Sequence, residues 1–231
     1  MNKVPKHIAI IPDGNRRWAR QHGLLEYKGH EKGVELFREI AKAARANNIE
    51  YLTFWGGSAS NLTKRSKIEI NFLVSFLKKE LANQLKTKEF QSNQTKFRLI
   101  GRWNEILEDA ELKKISDQLE QATAANAKYH VTILFGYDGK EEMLAAIEKL
   151  RSAKTKLDYE TVKAQLWTAE LPPVDLVIRT GGEPHWSTGF MMWLTTDSQF
   201  YFTEKFWPDF NEKEFQAALD EYARRERRLS A

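Results

Sequence analysis

An α/β fold, with a central, mostly parallel six-stranded sheet and helices on both faces, is what three features of this sequence predict. Six short apolar runs alternate with segments of helical periodicity along the whole chain. The runs are apolar throughout, as strands buried on both faces of a parallel sheet are. No linker, internal repeat or low-complexity tract interrupts the alternation, so residues 1–231 read as a single domain.

Ile8 to Ile11 form the first run, which stops at Pro12-Asp13-Gly14-Asn15, a segment with turn chemistry. Val34, Phe37, Ile40, Ala41 and Ala44 mark one face of a helix that closes at Asn47-Asn48. The second strand, Tyr51 to Trp55, ends in Gly56-Gly57-Ser58, and a long helix is expected over Ser66 to Lys86. Phe97 to Gly101 is the third strand, Glu105 to Ala127 one helix, and Val131 to Phe135 the fourth strand. Helices over Lys140 to Ser152 and Tyr159 to Trp167 lead to Pro172-Pro173, which breaks the pattern before the fifth strand, Val174 to Ile178. Phe200 to Phe202 is the sixth strand, and a helix over Glu212 to Arg228 follows.

Composition narrows the function. Hydrophobic residues make up 42% and charged residues 29%, values of a globular protein. The 36 basic residues are interspersed with 32 acidic ones, so the net charge of +4 gives no ground for a nucleic-acid partner. The absence of cysteine excludes disulfides and cysteine-ligated metals. Met1 to Lys6 lack the apolar core of a signal peptide, and no apolar run approaches the roughly 18 residues of a membrane span. A cytoplasmic protein is expected, one that touches a membrane only peripherally, through a lipid substrate or product.

Parallel sheets bind ligands outside the carboxyl ends of their strands. The residues after the first strand are Asp13, Gly14, Asn15, Arg16 and Arg17; after the second, Ser58, Ser60 and Asn61, with Lys64 and Arg65 close behind. Tyr137-Asp-Gly-Lys140 follows the fourth, and Arg179, Thr180, Glu183, His185 and Ser187 follow the fifth. Alone, the opening loop is either a solvated basic turn or a phosphate cradle. Four strand ends offering glycines, hydroxyls, amides and cations point to a strongly anionic ligand, with more than one phosphate. The long helix adds a second signal, because Ile68, Ile70, Phe72, Leu73, Val74, Phe76, Leu77, Leu81 and Leu85 cover more than one face. Such a helix is either internal to the core, or packs one side on the sheet while another lines an apolar cavity. The second arrangement suits a phosphate ester with a hydrocarbon tail.

At these residues the chain resembles the cis-prenyltransferases. His7 to Ala19 resembles the family's H-x-x-x-I-x-D-G-N-x-R-W-A, and Gly29-His30-x-x-Gly33 its G-H-x-x-G. Ser58-x-x-Asn61 sits where the family has S-x-E-N, and Tyr137-Asp-Gly-Lys140 resembles Y-G-G-R. Asp175-Leu-Val-Ile-Arg-Thr-Gly-Gly-Glu183 resembles D-L-x-I-R-T-x-G-E, and Phe200 to Phe210 the closing Y-F-x-x-x-x-W-P-D-F. The resemblance implies condensation of isopentenyl diphosphate with an allylic prenyl diphosphate, creating a cis double bond, in a homodimer that requires Mg²⁺. Asp13 would carry the Mg²⁺ and act in catalysis. Gly14, Asn15, Arg16, Arg17 and His30 would bind the allylic diphosphate, and Arg179, His185 and Ser187 the isopentenyl one. Asn61, with Ser58, would assist proton removal, and a hydrophobic tunnel lined in part by the 68–81 helix would take the growing chain. Trp18 and Lys64, adjacent to these groups, are counted with the substrate-binding set.

Several family positions differ. A metal-binding glutamate aligns with Gln199, so Gln199 is the expected, weaker second metal ligand. Glu26 stands where an arginine is usual, Ser60 replaces the glutamate of S-x-E-N, and His185 replaces an arginine. The departures keep open a second reading, a non-catalytic prenyl-diphosphate-binding subunit of the same fold. Retention of Asp13, Asn15, Arg17, His30, Asn61 and Arg179 favours the enzyme. A phosphatase is disfavoured, since neither a nucleophile constellation nor a two-metal carboxylate cluster is evident.

Overall fold

The computed structural model describes residues 4–153 and 156–225. Its strands are β1 (His7–Ile11), β2 (Tyr51–Gly57), β3 (Thr95–Ile100), β4 (Tyr129–Phe135), β5 (Leu176–Arg179) and β6 (Gln199–Phe202). They form one sheet in the order β3-β4-β2-β1-β5-β6, and every pairing is parallel. From β1 the chain builds to one side through β2, β3 and β4, then crosses over to lay down β5 and β6 on the other. Strand order therefore reverses between β1 and β5, and a crevice opens at the carboxyl ends of strands at such a point.

The helices are α1 (Asn15–Gln21), α2 (Glu26–Ala46), α3 (Ala59–Lys64), α4 (Lys67–Thr87), α5 (Glu89–Ser92), α6 (Trp103–Leu107), α7 (Ala110–Thr123), α8 (Gly139–Ala153), α9 (Tyr159–Lys163) and α10 (Glu212–Arg224). Alternation along β1 assigns its residues to two layers. Ile8 and Ile10 pack with Leu52, Phe54 and Ile178 beneath α2 and α10. Ala9 and Ile11 meet Tyr137, Val174, Phe190 and Leu194 on the opposite face. Beside the first layer, α4 and α7 pack Ile70, Val74, Leu81, Leu112 and Leu119 onto Phe97, Leu99 and Val131. Among the described residues no helix is long and apolar enough to cross a membrane.

The departures from expectation have local causes. The helix expected over Glu105 to Ala127 is two, because Glu108 takes a left-handed conformation (φ 48°) and the Asp109 side chain then accepts the Leu112 N–H as a new N-cap. The fifth strand starts later than expected, since the Val174 N–H donates to the Leu194 carbonyl instead of the sheet. The expected end of the last helix at Arg228 lies outside the described residues.

His7 ties the middle of the sheet together. Its Nδ1 is 2.9 Å from the Pro172 carbonyl and its Nε2 2.9 Å from the Thr53 hydroxyl. A carbonyl only accepts, so Nδ1 carries the proton, Nε2 accepts from Thr53, and the ring is neutral. Complete burial lowers its pKa to about 4. The unfolded chain binds this proton near pH 6.5 and the folded chain near 4, so stability is full above 6.5 and falls as pH drops toward 4, by roughly 3 kcal/mol from this group. We expect the urea midpoint to fall between pH 7 and pH 4 less steeply in His7→Gln than in the wild type. Equal slopes would contradict the assignment.

Candidate active site

Asp13 and Arg179 meet at the reversal point, just past the ends of β1 and β5. The buried Arg179 donates from one terminal nitrogen to Asp13 Oδ2 (2.9 Å) and from the other to the His185 carbonyl (2.8 Å). Arg17 approaches Asp13 Oδ1 at 3.2 Å and Glu183 at 3.4 Å. Thr180 donates its hydroxyl to the Asp13 carbonyl, so both strand ends are held in one geometry. Among the described residues nothing hydrogen-bonds the buried Arg179 Nε, which leaves a donor for a ligand anion.

The loop that presents Asp13 is shaped by close packing. Gly14 sits at φ 102°, where a side chain would be strained and a Cβ would meet the Phe206 ring at 2.6 Å. A Cβ on Gly29 would lie 1.9 Å from the Asn15 carbonyl oxygen, so glycine lets α2 press against the start of α1. The Asn15 side chain closes the turn by donating to the Pro12 carbonyl (2.9 Å). His30, one residue after Gly29, is thereby brought beside the loop.

A polar recess of about 270 Å³ results, lined by Asp13, Gly14, Asn15, Arg16, Arg17, Arg20, His30 and Arg65. Glu69 of α4 organises its inner wall, accepting from His30 Nε2 (3.0 Å) and lying 3.2 Å from Arg65. Burial pushes the Glu69 carboxyl up, but the His30 hydrogen bond and the Arg65 charge outweigh it and hold it below the ordinary range. On the outer wall Glu26 accepts from Arg16 Nε (2.6 Å) and Arg20 Nε (2.9 Å), bonds that hold its own carboxyl below the usual range. An acidic residue thus occupies the cations nearest the rim.

The recess shares Asp13, Asn15, His30 and Arg65 with a larger cavity of about 470 Å³. Its mouth carries Ser58, Asn61, Arg179 and Ser187; its depth carries Val34, Phe37, Phe54, Leu73, Phe76, Leu77, Ile133 and Phe135. The two-sided apolar pattern of the long helix is explained here, with Ile70, Val74 and Leu81 in the core and Leu73, Phe76 and Leu77 on the cavity. Ser58 and Asn61 form a capping box for α3: Ser58 Oγ accepts the Asn61 N–H (3.0 Å) and Asn61 Oδ1 accepts the Ser58 N–H (3.2 Å). The Asn61 carbonyl oxygen is therefore held by the cap, at the wall of the cavity.

Four expected residues are placed differently. Gln199 begins β6, opposite Leu176, about 10 Å down the sheet from the level of Arg179, so it does not join Asp13 as a metal ligand. Trp18 donates its Nε1–H to Asp209 (2.7 Å) and stacks on His22, and it lines neither space. Lys64 lines neither; Arg65, next in sequence, lines both. The His185 side chain is 55% exposed and faces Glu183, while its backbone carbonyl holds Arg179. Glu69 was hidden in the sequence by its position on an apolar helix.

Among the described residues no group of three His, Cys, Asp or Glu side chains is placed to hold a metal. Mg²⁺ needs less than that, since one or two carboxylates with water and substrate phosphate oxygens complete its shell. Asp13, at the junction of the recess and the cavity, fits that demand as a single anchor.

Comparison with known proteins places the chain in a family. The family model described as putative undecaprenyl diphosphate synthase matches residues 11–230. An isoprenyl transferase of Agrobacterium fabrum is 34% identical over 237 residues, covering 100% of this chain and 94% of its own. A tritrans,polycis-undecaprenyl-diphosphate synthase (geranylgeranyl-diphosphate specific) of Pyrobaculum aerophilum is 36% identical over 98% of this chain and 96% of its own. The solved lavandulyl diphosphate synthase of Lavandula x intermedia, in complex with dimethylallyl diphosphate, superposes with a TM-score of 0.89 at 31% identity, covering 97% of each chain. With its basic recess, its apolar cavity and these relatives, the chain belongs to the undecaprenyl diphosphate synthase family of prenyltransferases.

Proposed function

We propose that the chain, acting as one domain, condenses isopentenyl diphosphate with an allylic prenyl diphosphate to make a cis-polyprenyl diphosphate. The observation that carries this is the Asp13–Arg179 pair, set where a recess of cations opens into an apolar cavity. One anion site and one hydrocarbon site share a wall, as an amphiphilic diphosphate requires. That a solved relative holds dimethylallyl diphosphate supports the same class of ligand here.

In the reaction the allylic C–O bond breaks, the carbon it releases joins the terminal alkene carbon of isopentenyl diphosphate, and a proton leaves to restore a double bond. Arg16, Arg17, His30, Arg65 and the N–H groups after Gly14 bind the allylic diphosphate and stabilise the charge it gathers as it departs. Asp13 would hold Mg²⁺ together with diphosphate oxygens, and the ion when bound adds positive charge at the leaving group. Arg179, through its free Nε, and Ser187 bind the second diphosphate. Asn61 and Ser58 orient the reacting alkene through N–H and O–H groups. A neutral amide is too weak a base to take the proton, so the departing diphosphate takes it, with Asn61 and Ser58 assisting its removal.

Leu144 and Ile147, one turn apart on α8, are 66% and 51% exposed and support the reading of a homodimer. The protein works in the cytoplasm, with membrane contact made through its lipid product.

Incubation with labelled isopentenyl diphosphate, dimethylallyl or farnesyl diphosphate and Mg²⁺ tests the reaction. Asp13→Asn keeps one acceptor oxygen, enough for Arg179, and removes the charge; turnover is expected to fall about 10²-fold or more with the circular dichroism of the folded protein kept. A wild-type rate would overturn the role given to Asp13. Glu26→Gln releases Arg16 and Arg20, and calorimetry should show the allylic diphosphate binding about two- to fivefold more tightly. Weaker binding would show that Glu26 supports the recess instead of competing within it.

A further inference from the structure

Residues of a strand alternate between the two faces of a sheet, and β4 uses both. Ile133 and Phe135 line the cavity of the candidate active site. His130 and Thr132, on the opposite face, line a different space of about 300 Å³. Its floor continues onto β3, the edge strand, where Lys96 stands opposite His130 and Arg98 opposite Thr132. Trp167, Glu170 and Leu171, from the segment between α9 and β5, cover it. None of its lining residues belongs to the recess or the cavity described above.

One end of this space is cationic. Arg98 and Lys96 both donate to the Glu170 carboxylate, at 2.7 and 3.4 Å. Glu170 is 65% exposed, so an acid from the surface covers two half-buried cations. Burial pushes the Glu170 carboxyl up, but the charges of Arg98 and Lys96 outweigh it and hold it below the ordinary range. Glu120 stands 3.4 Å from Arg98 Nε, yet among the described residues nothing hydrogen-bonds that buried nitrogen. Burial and the nearby Lys96 lower the pKa of His130, which is therefore neutral at pH 7 and adds no charge. With Glu170 in place the two cations and two carboxylates cancel. With Glu170 turned into solvent one positive charge is left, which suits a monoanion.

The other end is apolar and holds one free hydroxyl. Ile100, Leu171 and Trp167, which is set edge-on to Tyr137 at 6.1 Å, form its walls. Thr168 engages both its hydroxyl and its N–H with Glu142, each at 2.8 Å. Thr132 is fully buried, and its hydroxyl has no hydrogen-bond partner among the described residues. A buried hydroxyl left in that state is a cost that a ligand can remove. An apolar cavity of about 150 Å³ holds a six-carbon ring, so about 300 Å³ holds roughly twelve non-hydrogen atoms.

We propose that this space is a second ligand site, separate from the prenyl diphosphate site, for a small carboxylate with an apolar body. Glu170 fills the anion position in the absence of that ligand and gives way to it. Exposed ion pairs hold weakly, so the displacement is easy.

The test titrates 3-phenylpropanoate, which matches the space in size, into ¹⁵N-labelled protein and follows backbone and indole N–H resonances. Shifts are expected at Arg98, Thr132, Trp167 and Glu170, with a dissociation constant in the millimolar range. Glu170→Gln removes the internal competitor and should tighten binding about two- to fivefold. Arg98→Met should weaken it about tenfold or more, and Lys96→Met stands in should that variant not fold. The neutral 3-phenylpropanamide and the bodiless acetate should each bind about tenfold or more weakly than 3-phenylpropanoate. Shifts confined to the Arg16–Arg17 recess, or none at these residues in either wild type or Glu170→Gln, would overturn the proposal. So would unchanged affinity in the variants, or an amide that binds as tightly as the acid. Inorganic phosphate bound as tightly as 3-phenylpropanoate would overturn the ligand class. Because the readout is binding at residues outside the catalytic cavity, the outcome does not depend on whether the chain transfers prenyl groups.

Discussion

Arg179 is buried at the end of β5 with its charge balanced by Asp13 at the end of β1, and the site is arranged around that contact. Asp13 is partly open to solvent, but Arg179 is buried and would be left without its carboxylate partner if Asp13 were removed, so each residue has a structural claim on the other besides any chemistry. The contact lies where the order of strands reverses, the one place at which two adjacent parallel strands send their following loops apart. From β1 the chain leaves into the cationic turn of Asp13 to Arg17; from β5 it leaves into the segment carrying His185 and Ser187. One carboxylate thus stands between the groups suited to two diphosphates, which is what a reaction between two such esters demands.

The same pair of helices makes both the anion site and the hydrocarbon site. At their upper ends α2 and α4 are drawn to the loop, α2 by the close approach at Gly29 and α4 by the Glu69 contacts with His30 and Arg65. At their lower ends Arg38 and Glu80 hold them together again. Between these two ties the facing side chains are Val34, Phe37, Leu73, Phe76 and Leu77, which leave an apolar space. Polar ties at top and bottom with an apolar middle give the cavity its length.

Much of this was legible in the sequence. Apolar runs identified the six strands, most plainly β1 and β5, where burial leaves no polar alternation to confuse with a helix; the edge strands β3, with Lys96 and Arg98 alternating, and β6, only partly buried, carry a weaker signal. The convergence of Asp13, Asn61 and Arg179 followed from the rule for strand ends. What was not legible depends on contacts between distant segments or on short elements without periodicity. α1 has seven residues and an arginine-rich sequence, so it read as a turn. Glu108 gives no composition signal for the break it makes between α6 and α7. Gln199 was aligned by motif, yet strand register puts it at the wrong end of β6 for a ligand. Arg65 rather than Lys64 reaches the recess because α3 ends at Lys64 and the chain turns inward at the next residue.

The most direct test is a crystal structure of the protein with Mg²⁺ and an unreactive thio-linked analogue of a ten- or fifteen-carbon allylic diphosphate. The account predicts the diphosphate among Arg16, Arg17, His30 and Arg65, the metal between it and Asp13, and the hydrocarbon running between α2 and α4 toward Phe37. A headgroup bound elsewhere, or a chain that leaves the cavity for the protein surface, would contradict it.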